Sequence, residues 1–482
     1  MATARVNLKN VQGDLIDGLQ KRVEAFLFIV LKSDLTSISD FRQHLKSNIF
    51  PLITSAQDVI DNQRKIDDSK KNKKPGDPKI SLPITETNIG FSATGLLKMG
   101  LNSDELPTGV FATGQKTDAI NNLGDPIDPS TKKLSTWSSD FLSHSIDLVI
   151  LITAPDQTLL DQKINQVKGF LKNSISSSFI LQGNVRPGSQ AGHEHFGFLD
   201  GVSNPKLQDI NSHSNDQKAG IVKPGVILLG QVDDQGNNPL TPKEQWMKDG
   251  SIMAFRQLKQ LVPEFDSFCA QAAQSAKSLT SDLIGARIVG RWKSGTPIEL
   301  APTQDNSNLI GAQNFDYSDD LSQAKCPYAA HIRKTNPRNG LSGADPTTAV
   351  LPHLMVRNGI PYGPELTASE QKSKKTIENR GLLFVSYQSQ LENGFQFVQQ
   401  LWCNNINFPP KSTVKVTPGF DLLIGQTSNQ APRVASNIIP KGTAGDSDPN
   451  NTLTALQQFI VPLGGEYFFM PSLEAIKTKL TL

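Results

Sequence analysis

Three short stretches carry residues that could do chemistry together. The turn GFLDG, Gly197–Gly201, sets one carboxylate, Asp200, among small and apolar residues. The stretch CPYAAHIRKTNPR, Cys326–Arg338, offers His331, with Arg333 two residues on. The third, VRNGIPYG, Val356–Gly363, adds Arg357. An acid, an imidazole and a guanidinium are the parts of a haem peroxidase site. The imidazole ligates iron, the acid moves a proton between peroxide oxygens, and the arginine stabilises the charge that develops as the O–O bond breaks. Asp-Gly is also ordinary turn chemistry, but Phe196, Phe198 and Leu199 make the neighbourhood of Asp200 apolar. Partial desolvation there suits a carboxylate that must accept and return a proton. Ala329 and Ala330, just before His331, are small enough for a flat macrocycle to approach the backbone.

Other motifs have plainer readings. His193 and His195 form an HxH pair that a strand would place on one face, but a third metal ligand is missing. Leu382 and Phe384 alternate along an apolar run and should face the same side. Asp316, Asp319, Asp320 and Asp345 read first as a solvated acidic loop and second as candidate ligands for manganous ion. The lysines between Lys70 and Lys74 are interleaved with acids, which suggests a solvated loop.

The elements that position these residues show in the hydrophobic pattern. Four segments share one plan, an apolar strand followed by an amphipathic helix. They are Val23–Leu31 with a helix from Asp34, Ile146–Thr153 with a helix from Asp156, Ser251–Gln260 with a helix from Pro263, and Gly381–Gln388 with a helix from Leu391. In the second helix Leu160, Ile164, Val167 and Leu171 fall at helical spacing, with Asp156 as N-cap. Two strand–helix pairs in each half suggest a duplicated unit. The Gly/Pro-rich passage Gly183–Gly192 is the expected boundary, giving halves 1–185 and 186–482. The polar, turn-rich passage Asn429–Thr452 is expected on the surface.

Composition narrows the function. The chain has 482 residues, 37% hydrophobic, with a net charge of +2, so no basic face points to nucleic acid. Three cysteines permit at most one disulfide and show no zinc spacing. No run approaches the roughly 18 apolar residues of a membrane span. The N-terminus has no apolar leader, so the protein is either cytoplasmic or secreted with its signal removed. The sequon Asn450-Asn451-Thr452 favours the extracellular reading.

The three motifs, in this order and at these separations, resemble the dye-decolourising peroxidases of fungal type. The resemblance runs from Asn7–Leu15 to the C-terminal helix. It implies an α+β fold of two ferredoxin-like halves, antiparallel sheets with packed helices, and one haem b in the C-terminal half. It implies His331 as the axial iron ligand, Asp200 and Arg357 as the distal catalytic pair, and Arg333 as a partner of a haem propionate. Leu382 and Phe384 would line the distal haem face. Some fungal members pass electrons from bulky donors through a Tyr five residues after the distal Arg and a Trp further on. Tyr362 and Trp402 match those positions as surface relays. The implied partners are hydrogen peroxide and aromatic donors, and manganous ion in some members. A haem-handling protein with little turnover is the alternative, since the same axial His would serve it.

Overall fold

The computed structural model describes residues 6–71, 82–212, 220–238, 240–276, 279–341, 349–410, 417–440 and 452–482. In the first half, strand β1 (Val23–Leu31) leads into helix α1 (Leu35–His44), whose first turn is capped by the Asp34 carboxylate on the Ser37 amide. Strands β2 (Glu86–Phe91) and β3 (Leu148–Ala154) follow, then helix α2 (Gln157–Leu171) and strand β4 (Ile175–Asn184). Asp156 caps α2, and Leu160, Ile164, Val167 and Leu171 are its buried stripe. In the second half, β5 (Ser251–Gln260) leads into α3 (Val262–Ala276). The short helix α4 (His331–Thr335) comes next, then two short strands, β6 (Val356–Arg357) and β7 (Ile360–Tyr362). Strand β8 (Gly381–Gln388) and the last strand, β9 (Ile460–Met470), complete the set.

The main sheet runs β4-β1-β3-β2-β9-β5-β8-β6, with β7 also on β8, and every pairing is antiparallel. Within each half the strand order is fourth, first, third, second, which is the ferredoxin-like order. Strands β1 and β3 read as continuous apolar runs because both faces of the sheet are covered.

The sheet curls until its outer strands meet. A Cβ on Gly183 of β4 would lie 2.3 Å from Ile360 Cγ2 and 2.8 Å from the Pro361 carbonyl oxygen of β7. Only glycine allows that approach. The interior is aromatic: Phe255 of β5 packs 4.9 Å from both Phe26 and Phe28 of β1. The two halves therefore share one core.

Candidate active site

Asp200, His331 and Arg357 line one cavity of about 400 Å³, together with Leu382 and Phe384. Each is delivered by a different element, and each element has a local reason for its shape.

His331 opens helix α4. The buried Lys334 on that helix donates to the Trp402 carbonyl at 2.9 Å and the Asn405 carbonyl at 2.8 Å. These pin α4 against the end of a π-helical segment, Val398–Cys403. The Nδ1 of His331 lies 2.7 Å from Oδ2 of the fully buried Asp421. Oδ1 of Asp421 accepts the amides of Leu423 at 2.8 Å and Ile424 at 3.2 Å. Burial pushes the Asp421 carboxyl up, but the charge and hydrogen bond of His331 and those amides outweigh it, and it ends below its ordinary value. A carboxylate on Nδ1 makes that nitrogen the donor, leaving Nε2 as the free nitrogen. Asp421 lies 90 residues from His331. No motif marked it, and only the fold brings it there.

Asp200 sits on a turn held by two left-handed glycines, Gly197 at φ +92° and Gly201 at φ +71°. The Asp200 amide donates to the Gly192 carbonyl at 2.9 Å. Asp200 is exposed on the cavity side of this turn, and the buried Phe196 and Phe198 line the same cavity. The desolvated carboxylate is Glu194. Its oxygens accept the Phe196 amide at 2.9 Å, the Phe198 amide at 2.8 Å and the Gln260 side chain. It thus organises the turn that presents Asp200, a role sequence reading missed.

Arg357 lies on β6, paired with Ser386 of β8. On its other side Asn204 acts as a surrogate strand. Its Nδ2 donates to the Arg357 carbonyl at 2.8 Å, and its Oδ1 accepts the Arg357 amide at 3.1 Å. Asn204 is four residues after Asp200, so the acid and the guanidinium belong to one clamped unit.

Glu194 and His195 shift in opposite directions. Burial pushes Glu194 up from 4.5 to about 7. Burial, then the Arg186 charge, pushes His195 down from 6.5 to about 4, with its Nε2 2.9 Å from the Tyr362 carbonyl oxygen. A raised carboxylate contributes stability that is full below its unfolded pKa and lost as pH rises through 7. A lowered histidine contributes stability that is full above its unfolded pKa and lost as pH falls through 4. Between pH 4.5 and 6.5 the two slopes oppose each other. Glu194→Gln should therefore give a Tm that rises with pH across this window more steeply than the parent. His195→Gln should give one that falls. Calorimetry of both variants showing the parent's profile would refute the assignment.

Several expectations are corrected. Arg333 does not reach the cavity. It is fully buried, bonded to the Asp320 carboxylate at 2.9 Å and sandwiched between the rings of Tyr317 (4.5 Å) and Tyr328 (4.3 Å). Its two-residue offset from His331 turns it to the far side of α4. Asp320, spent on that pair, is not a surface metal ligand, and Asp345 lies outside the described residues. His193 and His195 diverge, His193 staying beside the Ala191 carbonyl while His195 enters the core. Among the described residues no three His, Cys, Asp or Glu side chains are placed to hold a metal ion. Tyr362 and Trp402 are not at the surface, being 7% and 3% exposed. Trp402 stacks on Phe408 at 5.0 Å and meets the ring of His353, a cavity residue, at 5.1 Å. All three cysteines are free and buried.

The cavity wall fits haem at its anionic end. Arg291 and Arg338 are both buried at this wall, and their guanidinium bonds go to carbonyl, hydroxyl and amide oxygens rather than carboxylates. Nε of Arg291 has no partner among the described residues. Burial and the like charges of Arg338 and Arg357 push Arg291 down to about 10. Buried cations with no carboxylate bonded to their guanidinium groups leave room for an anion, and propionates would supply one. These arginines, not Arg333, are the ones placed for it.

Comparison with known proteins agrees. Residues 10–187 match the family model for the DyP dimeric alpha+beta barrel domain, and residues 193–407 match that for the C-terminal part of Dyp-type peroxidases. A dye-decolorizing peroxidase of Auricularia auricula-judae is 38% identical over 100% of this chain and 88% of its own length. One from Mycetinis scorodonius is 37% identical over 100% and 89%. The solved structure of a dye-decolorizing peroxidase in complex with 2,6-dimethoxyphenol superposes with a TM-score of 0.83 at 39% identity, covering 99% of this chain and 100% of that one. With the barrel, the cavity and its His–Asp–Arg set in place, the chain belongs to the dye-decolourising peroxidases, a family of haem enzymes.

Proposed function

We propose that this peroxidase is a secreted enzyme that holds one haem b through Nε2 of His331 and uses hydrogen peroxide to oxidise dyes and phenolic donors. The observation that carries this reading is the convergence of His331, Asp200 and Arg357 on one cavity. When bound, the haem supplies the iron at which peroxide is reduced. The chain does the rest. Asp421 fixes the His331 ring and keeps Nδ1 protonated, which makes Nε2 the better ligand. Asp200 takes the proton from one peroxide oxygen and returns it to the other, which leaves as water. The Arg357 guanidinium meets the negative charge that grows as the O–O bond lengthens. Leu382 and Phe384 make their part of the cavity wall apolar. Arg291 and Arg338 would hold the propionates.

A donor too bulky for the cavity of about 400 Å³ would need a route for its electrons through protein. The ring contacts of Trp402 with the cavity residue His353 favour Trp402 as the relay over Tyr362, whose hydroxyl donates to Asn379 at 3.0 Å. Secretion is supported by the sequon at Asn450, which lies outside the described residues. No helix among the described residues is long and apolar enough to cross a membrane.

A steady-state donor panel on the holoenzyme tests the reading, with an anthraquinone dye, 2,6-dimethoxyphenol and manganous ion. The dye and the phenol should both be oxidised in a peroxide-dependent way. Trp402→Phe should lower kcat/KM for the dye and spare the phenol, and Tyr362→Phe should spare both. Stable haem binding without turnover of any donor would point instead to a haem-handling protein.

A further inference from the structure

The chain has five tyrosines. A tyrosine gives up an electron readily only when its phenolic proton has somewhere to go, because the protonated radical cation is a very strong acid. The surroundings of the five differ on this point. The Tyr317 hydroxyl is buried without a partner among the described residues. Tyr328 donates to the Leu321 carbonyl and Tyr362 to the Asn379 amide oxygen, both poor bases. Tyr387 and Tyr467 donate to carboxylates, Asp14 and Asp118.

Position separates the last two. Tyr387 alternates with Phe384 along β8 and points to the opposite face from the cavity wall. Tyr467, on β9, has its ring 6.2 Å from Phe395, which lies 5.9 Å from Phe384. Phe395 and Phe384 both line the cavity. A contiguous aromatic contact thus joins Tyr467 to the place where peroxide reacts.

Charge favours the same residue. Asp118 is buried and held by two neutral amides, Asn122 Nδ2 at 2.7 Å and Gln396 Nε2 at 2.6 Å. The nearby guanidinium of Arg256 is matched by Asp125, with 2.8 Å contacts to both carboxylate oxygens. The Tyr467–Asp118 pair therefore carries one buried negative charge before oxidation. Loss of an electron, with the proton moving to Asp118, leaves a neutral tyrosyl radical and a neutral acid. A buried site favours the state without net charge.

We propose that Tyr467 is a buried redox site that gives one electron to the peroxide-oxidised haem centre and its proton to Asp118. The O–H bond of Tyr467 breaks, an O–H bond forms on Asp118 Oδ2, and the haem centre is reduced by one electron. When an aromatic donor later supplies an electron, Asp118 returns the proton. Tyr467 has no exposed surface, so it cannot meet a donor directly. It stores an oxidising equivalent away from the cavity until a donor arrives. The assignment rests on the peroxidase reading above.

The test is freeze-quench electron paramagnetic resonance of the holoenzyme mixed with hydrogen peroxide and no donor, with peroxide consumption measured on the same samples. The parent should show a tyrosyl signal that survives in Tyr362→Phe and Tyr387→Phe and is lost in Tyr467→Phe. Asp118→Asn keeps the ring and removes the base, and it too should lose the signal. If Tyr467→Phe takes up no haem, Asp118→Asn decides. A tyrosyl signal that persists in the deciding variant overturns the proposal, as does a parent that consumes peroxide without forming one. A parent that consumes no peroxide overturns the peroxidase reading and this assignment with it.

Discussion

The His331→Ala protein is expected to purify without stably bound haem, and haem added back should give no peroxidase turnover. The loss has two causes. The ligand nitrogen is gone, and Asp421 keeps its place in the core without the ring that its Oδ2 serves. A buried carboxylate stripped of its partner is costly, so the floor of the cavity should loosen as well. Absorption spectra after reconstitution read the first effect, and thermal melting of the apoprotein reads the second. Added imidazole should restore part of the haem spectrum, because the space left by the ring opens onto the cavity. A normal Soret band with full turnover in His331→Ala would remove His331 from the site.

Asp200→Asn should leave haem uptake and the resting spectrum near those of the parent and slow the reaction with peroxide by about 10²–10⁴-fold, the usual worth of a positioned acid–base group. Arg357→Leu should cost about 10²–10³-fold, as loss of one charge-stabilising donor does. The Asn204 clamp ties the two residues' backbones together, so the double variant should lose less than the product of the single losses. Stopped-flow mixing with peroxide measures all three. Rates within a few-fold of the parent for Asp200→Asn would exclude it from proton transfer.

Much of this architecture was legible in the sequence because it rests on local rules. β1, β5 and β8 begin and end where the apolar runs Val23–Leu31, Ser251–Gln260 and Gly381–Gln388 do. Asp34 and Asp156 cap the helices that follow the strands. Three strands did not announce themselves. β2 is ETNIGF, polar yet wholly buried, with Asn88 and Thr87 satisfied by the Thr54 region. β4 is serine-rich and only half-covered, and the glycines of β9 interrupt its apolar pattern. In the site, the three motif residues were visible because each sits in a constrained turn or helix start. Asp421, Glu194, Asn204 and Arg291 were not. They work through contacts made across the fold, and single-sequence reading has no access to those. Arg333 misled for a related reason. Its nearness to His331 in sequence says nothing about which side of a five-residue helix it leaves.

The last strand has a consequence for how the molecule comes into being. β9 follows every other strand of the main sheet in the chain, yet it lies in the middle of that sheet, with β2 of the first half on one side and β5 on the other. While the chain is still being made, β2 and β5 are both open edges, and neither half can finish its sheet. An unpaired strand edge is a template for the wrong partner, because its backbone N–H and C=O groups are open. The centre of this sheet must therefore wait until β9 has been made, and its closure joins residues far apart along the chain, which makes it slow. Tyr467 arrives on that same strand, so the wall behind the cavity is the last part of the site to be built. Haem uptake should accordingly wait for β9, and a nascent chain stopped short of Ile460 would carry His331, Asp200 and Arg357 without the barrel that brings them together.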